Sequence, residues 1–198
     1  MRAPLMAFAV WTGLAASALA FTSFNAWKFA APSTSAGSPL RAGGVLVPLT
    51  DAPFQRLVDL HSPVAFDFTG AGERRAEGWL TSNAAWLVSD PLWGGTVNSG
   101  ADILSFDALR ARDLNGDGVL TGAELDGLSL WHDENGDGVS EPGEVVPVNV
   151  HGIVAISVHG DQTGRDVIEA RNGVRFDDGR TRPIYDWLLG ASARREHS

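Results

Sequence analysis

The chain has 198 residues, 44% of them hydrophobic, and a formal net charge of -9. Length and apolar content allow one domain with its own core, and the lack of a basic patch argues against a nucleic-acid partner. With zero cysteines there is no disulfide, no Cys-built zinc site and no Cys nucleophile.

After Met1-Arg2, residues 3–26 are uncharged and mostly apolar, and Ala18-Leu19-Ala20 has the small-x-small form of a signal-peptidase site. Residues 1–20 are expected to be a signal peptide or a membrane anchor. The apolar run could also span a bilayer, with Trp27 and Lys28 at its far end. A Pro/Ser/Gly-rich linker over 21–44 follows, then a folded domain over 45–198. Both readings place the domain in the periplasm, at the cell surface or in the medium, with membrane contact only through an anchor.

Residues 45–49 and 64–68 read as strands, and 52–61 as a short helix. Residues 79–80 and 86–88 are apolar pieces bounded by turn residues. Residues 106–112 read as a helix with Phe106 and Leu109 on one face.

That helix leads into the most informative segment. Residues 113–124 run Asp-Leu-Asn-Gly-Asp-Gly-Val-Leu-Thr-Gly-Ala-Glu, and residues 133–144 run Asp-Glu-Asn-Gly-Asp-Gly-Val-Ser-Glu-Pro-Gly-Glu. Both fit D-x-[DN]-x-[DN]-G-x5-E, the EF-hand calcium loop. Calcium takes six to eight hard oxygens, and this spacing supplies them. Asp113, Asn115 and Asp117 offer side-chain oxygens, Val119 its carbonyl, Thr121 a water-mediated contact, and Glu124 both carboxylate oxygens. In the second loop Asp133, Asn135, Asp137, Val139, Glu141 and Glu144 fill the same roles. Two calcium ions are expected. The second loop has four carboxylates at ligand positions against three, so it should be the tighter site and the less ordered one without metal. Residues 113–144 hold nine acids and no Lys or Arg, while the other 15 acids balance the 15 bases, so the net charge is local to this segment.

Only eight residues separate the loops. One shared helix over 121–132 is expected, with Leu125, Leu128 and Trp131 as its buried stripe and the ions about 15 to 20 Å apart. Pro147 should stop any helix after the second loop. Residues 151–158 read as a strand, 166–171 and 174–177 as a hairpin about Asn172-Gly173, and 184–189 as a short helix or docking tail. The predicted fold class is α+β: an EF-hand-like helix-loop-helix-loop pair with a shared helix, packed with short antiparallel strands and hairpins.

The order Val64-Ala65-Phe66-Asp67, Gly78-Trp79-Leu80, Leu87-Val88-Ser89-Asp90, the two loops, Leu130-Trp131-His132-Asp133 and Gly152-Ile153-Val154-Ala155-Ile156 resembles bacterial secreted EF-hand modules that accompany hemolysin-type calcium-binding proteins. The resemblance covers about residues 60–160 and implies a calcium-binding fold without catalysis. It also implies further acidic loops beginning at Asp67 and Asp90; here both lack the later acidic ligands and read as vestigial. No nucleophile elbow, P-loop or dinucleotide fingerprint is present, and an enzyme is not expected. The function read from the sequence is calcium binding in an exported, mainly structural or interaction module, with a surface protein as a possible partner. A dockerin-like partner-binding module is the alternative, and a hydrolase accessory domain a more remote one.

Overall fold

A computed structural model describes residues 42–189. The leader at 1–20, most of the linker at 21–44 and the basic tip Ala193-Arg194-Arg195 lie outside these residues. Among the described residues no helix is long and apolar enough to cross a membrane.

Eleven strands form in chain order: β1 (Ala42–Pro48), β2 (Val58–Phe66), β3 (Arg75–Leu80), β4 (Ala84–Ser89), β5 (Val119–Thr121), β6 (Leu128–Trp131), β7 (Val145–Pro147), β8 (Ile153–Ser157), β9 (Asp161–Gln162), β10 (Val167–Phe176) and β11 (Thr181–Leu189). The one α-helix among the described residues, α1, is five residues long (Phe106–Arg110). Nine strands make one antiparallel sheet in the order β5-β8-β10-β11-β1-β4-β6-β7, with β9 added beside β10; β2 and β3 form a separate hairpin.

Strands β1, β4 and β6 bury side chains on both sides of the sheet. On β1, Val45 and Val47 enter one cluster and Leu46 the other. On β4, Ala85 and Leu87 alternate in the same way with Ala84, Trp86 and Val88. On β6, Leu128 and Leu130 oppose Trp131. The first cluster is mainly aliphatic and is completed by α1, β5, β8 and β10. The second is aromatic: Phe66, Phe68, Trp79, Trp86 and Trp131 pack with ring centroids 5.0–6.3 Å apart, and the β2–β3 hairpin covers them. Offset and edge-on packing of this kind is what ring quadrupoles favour. Asp186 on β11 is 4% exposed, and its Oδ2 accepts the Phe106 amide at 2.9 Å, fixing the start of α1 to the sheet.

This architecture corrects the predicted α+β class and the EF-hand resemblance. Among the described residues no helix-loop-helix forms. The expected shared helix over 121–132 is a 3-10 turn (Gly122–Leu125) followed by strand β6. Gly122 (φ 53°) and Gly127 (φ 72°) take left-handed conformations that end helical hydrogen bonding on both sides of the turn. Leu125, Leu128 and Trp131 fit a helical stripe in sequence, yet Leu128 and Trp131 point into opposite cores. The predicted helix over 52–61 is reduced to a turn at Phe54–Arg56 before β2. In place of the hairpin predicted over 166–177, Val167–Phe176 form one strand, β10, with a bulge between Ala170 and Val174. Gly173 serves close approach: a Cβ there would lie 2.4 Å from Ile184 Cγ1. The turn comes later, at Gly179 (φ 85°), and residues 184–189 belong to β11.

Candidate metal centres

The first loop leaves α1 and ends in the 3-10 turn, with its seventh to ninth residues forming β5 on the sheet edge. The second leaves β6 and ends where β7 begins. In each, the first Asp gathers the loop. Asp113 Oδ1 accepts the amides of Gly116 (2.9 Å) and Asp117 (3.2 Å), and Oδ2 that of Gly118 (2.9 Å). Asp133 does the same for Gly136, Asp137 and Gly138, at 2.8, 3.2 and 2.8 Å. The third and fifth residues follow suit: Asn115 accepts from Asp117, and Asp117 from Val119, as Asn135 does from Asp137 and Asp137 from Val139.

The closing Glu completes the match. Glu124 Oε1 accepts the Leu114 amide and Oε2 the Thr121 amide, at 2.9 and 3.0 Å. Glu144 accepts those of Glu134 and Glu141, at 3.1 and 3.0 Å. Each of these backbone-to-side-chain bonds in one loop thus has its counterpart in the other, though the flanking elements differ and the second loop adds a bond from Asn135 Nδ2 to Glu141 Oε2. Gly116 and Gly136 share φ near 71°, and Gly118 and Gly138 follow at 86° and 72°. The sequence-predicted residues of each loop are brought together by this wiring.

Among the described residues no group of three or more His, Asp or Glu side chains stands as a ready metal cage. The expected helix-flanked EF-hand metal site is corrected to that extent. The donor set still suits a hard cation. A carboxylate oxygen has two acceptor sites, and each oxygen of Asp117, Asp137 and Glu124 accepts a single donor, which takes one of them. Two aspartates, one Asn, a backbone carbonyl and a potentially bidentate Glu give the oxygen-only chemistry that calcium selects.

The sequence patterns at Asp67 and Asp90 gain a structural meaning. Asp67 Oδ2 accepts the Gly72 amide (2.7 Å), and Asp90 Oδ2 the Gly95 amide (3.2 Å), the same fifth-residue bond. Positive φ recurs at the third and fifth following residues: Gly70 and Gly72 at 70° and 85°, Trp93 and Gly95 at 53° and 66°. Four loops therefore share one opening turn, and only two carry the later ligands. Burial works to raise the Asp67 pKa. The Gly72 and Thr69 amides and the Thr69 hydroxyl outweigh it and hold the carboxyl below its usual value. Amides stabilise that charge where the chain has no ligand set.

Sequence reasoning did not reach the surroundings of the second loop. Asp133 is 7% exposed and its Oδ2 also accepts the Trp79 indole N–H at 2.7 Å. The Trp131 indole N–H reaches Glu144 Oε2 at 3.4 Å. The Ser140 hydroxyl accepts the Val97 amide (2.8 Å) and approaches its carbonyl (3.3 Å).

The fold and site define an all-antiparallel β domain with paired acidic turn loops. Residues 54–190 match the family model of the SPM domain, and the chain belongs to that family. The chain is also similar to the iron-regulated protein FrpA of Neisseria meningitidis serogroup C, 25% identical over 147 residues, which cover 64% of this chain and 13% of that protein. This membership replaces the EF-hand module suggested by the sequence resemblance.

Proposed function

We propose that this domain binds two calcium ions, one in each acidic loop, and that calcium stabilises its native fold. The observation that supports it is the duplicated wiring: two twelve-residue segments with different flanking elements hold Asp, Asn, Asp and Glu in the same hydrogen-bond pattern. An ordinary tight turn needs no Glu at its twelfth residue. In the first loop the ligands are Asp113, Asn115, Asp117, the Val119 carbonyl, Thr121 through water, and Glu124. In the second they are Asp133, Asn135, Asp137, the Val139 carbonyl, Glu141 and Glu144. The cation neutralises carboxylates that otherwise repel one another.

Extracellular modules of this kind bind calcium at about 10⁻⁴ to 10⁻³ M. Binding to the native state alone adds about 1.4 kcal/mol per site at ten times Kd. That affinity range suits a setting outside the cytoplasm, where a structural or interaction role follows. Calorimetric titration with calcium tests the reading. The wild-type chain should take two ions, and Glu124→Gln or Glu144→Gln one. Two ions retained by the double variant would refute the ligand assignment.

A further inference from the structure

The geometry points to Trp79 as a positioning residue of the second calcium site, a role that rests on the calcium reading above. Trp79 lies on β3, 54 residues before Asp133, and is 1% exposed. Its indole N–H is the fourth donor on a carboxylate that already accepts three backbone amides. Asp113, the counterpart in the first loop, has the three amides and no such side-chain donor in its pattern.

The indole cannot turn away, because its ring is packed against Phe66, Phe68, Trp86 and Trp131. It therefore fixes the rotamer of Asp133 by holding Oδ2 together with the Gly138 amide, so that Oδ1 is kept against the Gly136 and Asp137 amides of the loop. The β2–β3 hairpin reinforces the placement from below. A Cβ on Gly138 would meet Val64 Cγ1 at 2.6 Å, so the loop's sixth residue rests directly on β2. Trp131 extends the same device to the last ligand, Glu144. Donors behind a metal ligand set its orientation, and their removal typically lowers metal affinity 10–100-fold. Affinity at the second site is thus tied to the aromatic core, while the first site lacks this tie.

The test is a calcium titration of the full chain, comparing wild type, Trp79→Phe, Glu124→Gln and the Trp79→Phe/Glu124→Gln double variant. Trp79→Phe keeps a ring in the cluster and removes the N–H. It should weaken the second site by 10–100-fold and leave the first unchanged. Equal second-site affinity in Glu124→Gln and in the double variant would overturn the inference while leaving the calcium reading intact. No calcium uptake by the wild type would overturn both.

Should Trp79→Phe fail to fold, the indole ¹H–¹⁵N resonances of Glu124→Gln decide. The Trp79 signal should shift as calcium fills the second loop. The signal of Trp86, whose indole nitrogen is buried without a hydrogen-bond partner, should move little. A Trp79 signal that moves no more than that of Trp86 would overturn the inference.

Discussion

The first acidic loop is tied to the aliphatic side of the sheet by its own Leu120 and by Leu125 just after it, with Asn115, Gly116 and Asp117 exposed. The second sits on the aromatic side, where Asp133 and Gly138 are buried against Trp79 and Val64. Within the loops the amide-to-carboxylate wiring is the same. One local network can therefore be either hung at an edge or built into a core, and the difference lies largely in residues far away in sequence.

Substitution of the first ligand should give the largest contrast. In calcium-free buffer Asp133→Ala strands a buried indole and three amides, which should cost about 3 kcal/mol or more. Asp113→Ala leaves amides that water can reach, and should cost about 1 kcal/mol. Urea denaturation with chelator present measures both, and equal losses would erase the distinction between the loops.

Glycine at the sixth position gives a second, smaller contrast. Both Gly118 and Gly138 have positive φ, and alanine there costs about 1–2 kcal/mol through backbone strain. At Gly138 the new Cβ also collides with Val64, whereas at Gly118 it meets only the His159 ring at 3.3 Å. Thermal melts should rank Gly138→Ala as clearly the worse.

Acid should act through a group beside the second loop's return. Burial, aided by the charge of His132, lowers the His151 pKa below its ordinary 6.5. Folded protein then binds fewer protons than unfolded protein as pH falls, so this contribution is full above about 6.5 and declines below it. His151→Gln should flatten that part of the stability–pH curve, measured in chelator to exclude metal release.

The smallest effect is expected at Trp93, the one non-glycine residue with positive φ among the described residues. Trp93→Gly relieves about 1 kcal/mol of strain, offset in part by lost packing of a side chain that is 52% exposed. A small gain in melting temperature is the expected readout.

The loops were legible in the sequence because the amides that wire them are local: those on each first Asp come from within five residues and those on each closing Glu from within ten. The strands around them were harder to read. Alternation of apolar and polar residues disappears when both faces of a strand are buried, as in Ala84–Ser89, and such a run has no period to follow. The connector 121–132 offered a helical spacing of Leu and Trp, but Gly122 and Gly127 at its ends decided its path. The bond from Trp79 to Asp133 has no sequence signature, because the fold alone joins residues 54 positions apart.

The most direct test of the central claim is calcium stoichiometry by equilibrium dialysis on wild type, Glu124→Gln, Glu144→Gln and the double variant. Two, one, one and zero bound ions are predicted. No bound calcium in the wild type, or the same stoichiometry in all four, would contradict the assignment of the duplicated loops as cation sites.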